Sequence, residues 1–237
     1  MGWVCAEYFE SMGAQLIVTG RTPEKLQALS RKFQHPDKHL YHQADLLGID
    51  GVTSLVEAIH EFCGGVDVIV HSLGGGYGFR DPLLNWQQFE MLHRVNVVAG
   101  AEINRLLIPG MLDRKDGRVV HVCSIASQEA TGSVGYNTVK ASLAAYVRSL
   151  GRELAAEGVV VSGILPGAFY GPENAWERLE ARSPEIVREF VATRLPRKQI
   201  GQASEIMPLI GLLAGAGGSM MAGTCVAIDA GEGVSYV

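Results

Sequence analysis

The chain has 237 residues, 47% of them hydrophobic, and a formal net charge of −5. That length and apolar content suffice for one large core, so residues 1–237 are expected to form a single domain. No basic face offers itself to nucleic acid or anionic lipid, and no basic-then-apolar leader opens the chain; small-molecule partners, no membrane and a cytoplasmic location are the expectation.

In chain order, short apolar runs alternate with longer amphipathic ones, the pattern of βαβ units around a parallel sheet. Residues 3–13 read as a helix, Gln15–Thr19 as a strand, Pro23–Phe33 as a helix opened by proline, and His39–Gln43 as a short strand. Ile49–Phe62 reads as a helix, the β-branched Val66–His71 as a strand, Trp86–Leu112 as mostly helical, and Arg118–Cys123 as a strand. Tyr136–Ala156 predicts a long helix closed by Gly158, followed by buried strands at Val159–Leu165 and Gly223–Asp229. Ile206–Ile228 carries no charge and imitates a membrane span in length, but Pro208 and Gly215–Gly218 break it into a helix, a turn and a strand. Cys5, Cys63, Cys123 and Cys225 lie far apart in apolar stretches, which predicts buried, reduced thiols and no metal centre.

Tyr136 and Lys140 stand at i and i+4 of the long helix, with Ser124 twelve residues upstream at a strand end and Asn96 further back. Four apart on a helix is one face, so the ammonium is expected beside the phenol, lowering the tyrosine pKa toward neutral. A phenol so tuned exchanges a proton with a carbonyl or alcohol oxygen. Ser127 is a rival to Ser124, and Ser124 is preferred.

These motifs, with Pro166-Gly167 after a strand, resemble those of the short-chain dehydrogenase/reductase family, and the resemblance runs from Gly2 to the C-terminus. It implies a Rossmann-type, doubly wound α/β fold: a parallel sheet with helices on both faces. It also implies hydride transfer between a nicotinamide cofactor and a small-molecule carbonyl or secondary alcohol. Ser124 then holds the substrate oxygen, Tyr136 exchanges the proton, and Lys140 also holds the nicotinamide ribose. Asn96 kinks its helix and positions a water that replenishes the proton.

The resemblance assigns Gly2, Arg21, Asp45, Leu46, Ser72, Leu73, Gly74, Pro166 and Gly167 to the cofactor, with Tyr136 and Lys140. Thr19-Gly20-Arg21 lacks the acid that would bind an adenosine 2′-hydroxyl and offers an arginine to a 2′-phosphate. NADP(H) is therefore preferred, with NAD(H) as the alternative. Gly74-Gly-Gly-Tyr-Gly78 is not followed directly by a helix, and reads as a flexible wall beside the nicotinamide rather than a phosphate loop.

Of the family's GxxxGxG turn only the final glycine has a counterpart, Gly2, so the first strand and most of the phosphate turn are expected to be missing from the sheet. Between Pro166 and about Gln202 lies the family's variable substrate lid, here with Phe169, Tyr170, Trp176 and a charged helical stretch, Glu177 to Arg194. Gly171 stands where many relatives have a threonine that contacts the nicotinamide amide. The related enoyl-thioester reductases carry tyrosine seven positions before the lysine, where this chain has Ser133, so carbonyl chemistry is preferred. A catalytically silent binding or oligomer-forming subunit is the alternative reading. The family's pairing of the helices matching 86–112 and 136–156 implies a homodimer or homotetramer.

Overall fold

The computed structural model of the protein describes residues 1–236. Helix α1 (Gly2–Ser11) leads to β1 (Ile17–Gly20), α2 (Pro23–Ser30), β2 (Leu40–Gln43), α3 (Ile49–Cys63) and β3 (Val68–His71). Then follow α4 (Trp86–His93), α5 (Ala99–Arg114), β4 (Gly117–Val122), α6 (Val134–Leu154) and β5 (Val159–Pro166). The remainder comprises β6 (Phe169–Tyr170), α7 (Ala175–Arg182), α8 (Pro184–Arg194), β7 (Gly201–Gln202), α9 (Ala203–Ala214) and β8 (Cys225–Ile228).

Strands β3-β4-β5-β8 form one parallel sheet, in that order. All eight residues of β5 are buried, which explains its unbroken apolar run: a parallel strand covered on both faces has no solvent side to alternate toward. On one face Ile108 and Met111 of α5 and Leu143 and Val147 of α6 pack on Val119 and Val161. On the other, Cys5 of α1 and Ile206, Met207, Ile210 and Leu213 of α9 pack on Val120 and Ile164. The expected α/β arrangement, helices on both faces of a parallel sheet, is therefore present. The charge-free 206–228 stretch is helix, turn and strand, and among the described residues no helix is long and apolar enough to cross a membrane.

Strands β1 and β2 pair only with each other, also in parallel. Strands β1 and β3 are not hydrogen-bonded to each other, so the parallel strands fall into two sheets. A cavity of about 1100 Å³ lies in the division, walled by Ile17–Gly20 on one side and Val68–His71 on the other.

The interruption expected at Asn96 is present, and a second one was not expected. The 86–112 stretch is two α-helices joined by a wide π turn, Arg94–Val98, with Asn96 at its centre. The charged stretch Glu177 to Arg194 is broken at Ser183, because the residue before Pro184 is driven out of the helical region and the proline starts a new helix instead. Asn174 caps α7 by accepting from the Glu177 amide at 3.0 Å. All four thiols are free, but Cys63, the last residue of α3, is exposed and Cys225 is only half-buried, contrary to the expectation that all are buried.

Candidate active site

The chemistry-bearing residues gather at the carboxyl ends of β1, β3, β4 and β5, where an open parallel sheet splays to leave a crevice. Ser124 follows β4, and its hydroxyl accepts from the Ala126 amide at 3.1 Å, fixing the short helical turn after the strand. Ser127 turns its hydroxyl back to the Ser124 carbonyl at 2.7 Å, so the backbone of that turn occupies it. Tyr136 lies in the first turn of α6, with Ser124 close enough to influence its phenol.

Lys140 is 3% exposed. Its Nζ donates to the Val122 carbonyl at 3.0 Å and lies 5.7 Å from the centre of the Tyr136 ring, as i and i+4 placement requires. Burial lowers its pKa to about 8. The expected depression of the Tyr136 pKa is not found. Burial is the largest cause and raises it, while the Ser124 hydrogen bond pulls in the opposite direction. Near neutral pH the phenol therefore holds its proton, the form a carbonyl reduction needs.

Asn96 is 4% exposed and its side chain is fully engaged. Its Nδ2 donates to the carbonyls of Leu92 (2.9 Å) and Gly75 (3.0 Å), and its Oδ1 accepts from the Gly75 amide at 3.0 Å. The glycine-rich turn is thereby tied to the wide helical turn at Gly75. Gly74 is required there: a Cβ would stand 2.8 Å from Asn96 Oδ1 and 3.2 Å from Lys140 Nζ.

Gly2, Arg21, Asp45, Leu46, Ser72 and Leu73 all line the 1100 Å³ cavity, as does Asn96. Gly2 opens α1 so close to β3's exit that a Cβ would stand 2.7 Å from Ser72 Oγ. The Arg21 side chain is exposed and has no partner among the described residues. Asp45 is exposed and accepts from the Leu47 amide at 3.2 Å, so its carboxylate holds its own turn. Pro166 and Gly167 end β5 outside this lining; a Cβ on Gly167 would stand 2.5 Å from Glu232 Oε2.

Two groups near the site are not foreshadowed by the motifs. Glu232 is 7% exposed and accepts from the Ala168 amide at 2.6 Å, with burial raising its pKa. His71 and His121, paired across β3 and β4, stack with ring centres 4.4 Å apart. Asn104 Oδ1 faces His71 Nε2 at 2.8 Å, and its Nδ2 donates to His121 Nε2 (3.2 Å) and Tyr146 Oη (3.1 Å). Burial lowers the His71 pKa to about 4 and takes His121 well below its usual value, with Lys140 also depressing the latter. Both imidazoles are neutral at pH 7. In sequence the four partners are scattered over four elements, and no spacing rule joins them.

A family model described as Enoyl-(Acyl carrier protein) reductase matches residues 1–232. The chain is 28% identical over 237 residues to 2-(R)-hydroxypropyl-CoM dehydrogenase of Xanthobacter autotrophicus, covering 96% of this chain and 92% of that protein. To the 3-oxoacyl-(acyl-carrier-protein) reductase of Aquifex aeolicus it is 24% identical, covering 98% and 92%. L-sorbose reductase from Gluconobacter frateurii, solved with NADPH and L-sorbose, superposes with a TM-score of 0.90 at 22% identity, over 98% of this chain and 92% of that one. The chain belongs to the short-chain dehydrogenase/reductase family. It is an NAD(P)-dependent oxidoreductase by class.

Proposed function

We propose that the protein reduces a carbonyl, or oxidises the matching secondary alcohol, with NADP(H) preferred over NAD(H). The observation that carries this reading is the convergence of Ser124, Tyr136 and the buried Lys140 beside Gly74 and Asn96. The cavity's chemistry fits a dinucleotide: a glycine at a helix N-terminus permits close approach of an anion, and an uncommitted arginine at the end of β1 meets a 2′-phosphate. The cofactor supplies or accepts the hydride.

In reduction, Ser124 Oγ donates to the substrate oxygen and stabilises the negative charge that grows on it. Tyr136 Oη gives that oxygen its proton, and in oxidation takes it back. Lys140, held at Val122, places positive charge under the phenol as the phenolate forms. Asn96 acts through position, holding the Gly74–Gly75 turn against the catalytic pair. We assign residues 167–202 as the substrate lid on a single 1–237 domain; β6, β7, α7 and α8 build it around Val187, Leu195 and Ile200. A homodimer or homotetramer is supported by exposed Trp86, Met91, Val98 and Val134 on α4, the wide turn and α6.

The test compares NADPH oxidation with an acetoacetyl and a crotonyl thioester. Faster turnover of the 3-oxo compound, reduced about 10²- to 10⁴-fold by Tyr136→Phe, is expected. Faster turnover of the enoyl compound, the reaction named by the matching family model's description, would replace this reading.

A further inference from the structure

The segment after β8 runs from the base of the lid to the loop between Ser124 and Tyr136, and three carboxylates fix its course. Asp229 accepts from the amides of Gly231 (3.0 Å) and Gly233 (2.9 Å), folding the segment through a turn in which Ala230 and Gly231 are both left-handed. The buried Glu232 accepts from the Ala168 amide at 2.6 Å, where the chain leaves β5 for the lid. Glu129, in the Ser124–Tyr136 loop, accepts from the amides of Val234 (2.5 Å) and Ser235 (2.6 Å) through one oxygen. Two glycines leave room for these acids: a Cβ on Gly233 would stand 2.7 Å from Asp229 Oδ2 and 3.0 Å from Glu129 Oε1, and Gly167 is equally crowded by Glu232. The other end of the lid also meets the segment, since a Cβ on Gly231 would lie 3.6 Å from Pro196 Cγ. Amide bonds to a carboxylate are roughly twice as strong as neutral ones, so this short stretch is held at both ends.

We infer that residues 229–235 are a strap that sets the substrate lid against the Ser124–Tyr136 loop, with Glu129 and Glu232 as its positioning residues. The strap meets the lid near both of its hinges, at Ala168 and Pro196, and the loop at Glu129, so one run of backbone fixes the distance between them. On the carbonyl-reduction reading, on which this consequence rests, Ser124 and Tyr136 reach the substrate from either end of that loop, and the strap sets the clearance left for it under the lid. Direct electrostatics between the two acids has the opposite sign. The Glu129 charge raises the Glu232 pKa, so removing Glu129 favours the Glu232 carboxylate that binds Ala168. A looser Ala168 after that removal therefore reports the strap and not the charge.

The experiment cuts the strap at each end in the full chain and reads the other end by hydrogen exchange. Glu129→Ala should speed exchange of the 167–170 peptide by about tenfold, and Glu232→Ala that of 125–133, with α5 unchanged as the control. Glu129→Gln and Glu232→Gln, which keep an acceptor oxygen for the same amides, should restore most of the protection. Loosening confined to the mutated end, or no rescue by the glutamine forms, overturns the strap. Should Glu232→Ala not fold, Glu129→Ala decides alone by its effect on 167–170. In turnover of the acetoacetyl thioester with NADPH, both alanine variants should raise KM by about tenfold with kcat within about threefold, because the strap shapes the space for the substrate and leaves the proton-transfer groups in place. An equal fall in kcat with KM unchanged overturns the positioning role. The exchange measurement needs neither substrate nor cofactor, so a thioester that is not turned over counts against the carbonyl-reduction reading while exchange still decides the strap.

Discussion

The β4–β5–α6 side of the molecule and the β1–β3 side follow opposite rules. On the first, every strand has two neighbours and buried valines and isoleucines fill both faces. On the second, two strands of similar composition stand half-buried around a cavity. The proposed proton-handling group is carried by the closed side and most of the proposed cofactor wall by the open one, so on that proposal catalytic geometry and nucleotide binding rest on separate parts of the packing.

The contrast breaks most visibly on truncating matched side chains. Ile164→Ala, at a site with no exposure, should cost about 2–5 kcal/mol, while Ile17→Ala on the open side should cost roughly 1 kcal/mol or less, both by denaturant unfolding. Near-equal costs would mean that the division of the sheet is energetically closed.

Next in size is the buried histidine pair, which joins β3 to β4 across the boundary. Its folded pKa lies below the unfolded value near 6.5, so the unfolded chain binds more protons in between. The stabilisation is complete above pH 6.5 and is lost as pH falls toward about 4, by about 3 kcal/mol for His71. Unfolding free energies at pH 7.5 and 5.0 should differ accordingly, and His71→Gln should flatten the slope.

Smaller again is Arg21→Ala, expected to shift the NADPH-over-NADH preference by about tenfold, or about 1.4 kcal/mol, in a binding titration with stability unchanged. Lys25→Ala removes the exposed ion pair that links α2 to Glu173 near the lid, and should alter stability by less than about 1 kcal/mol. A larger loss would show that the lid braces the open side.

Legibility in the sequence divides along the same line. β5 and α6 were readable because their signals are local: a β-branched run, and tyrosine and lysine one helical turn apart. Contacts made across the chain left no trace in spacing. Asn96 reaches Gly75 over 21 residues and Asn104 reaches Tyr146 over 42, so the clamp on the glycine turn and the histidine network emerge only when the elements pack. The Tyr136 pKa went the other way from expectation for a related reason: a sequence shows the charge four residues away but not the burial that raises the pKa. Ser183-Pro184 is the converse case, a helix break written locally inside a stretch read as continuous.

The wide turn at Arg94–Val98 also sets a phase. A π turn inserts one residue into the helical count, and one residue is about 100° of rotation. Deleting a single residue there would let α4 and α5 merge into one regular helix, at no cost in hydrogen bonds. It would also swing Ile103, Asn104 and Leu107 about a quarter-turn off the strands they face. That one extra residue works as an index mark, aligning Asn96 with the glycine turn on one side and Asn104 with the histidines on the other.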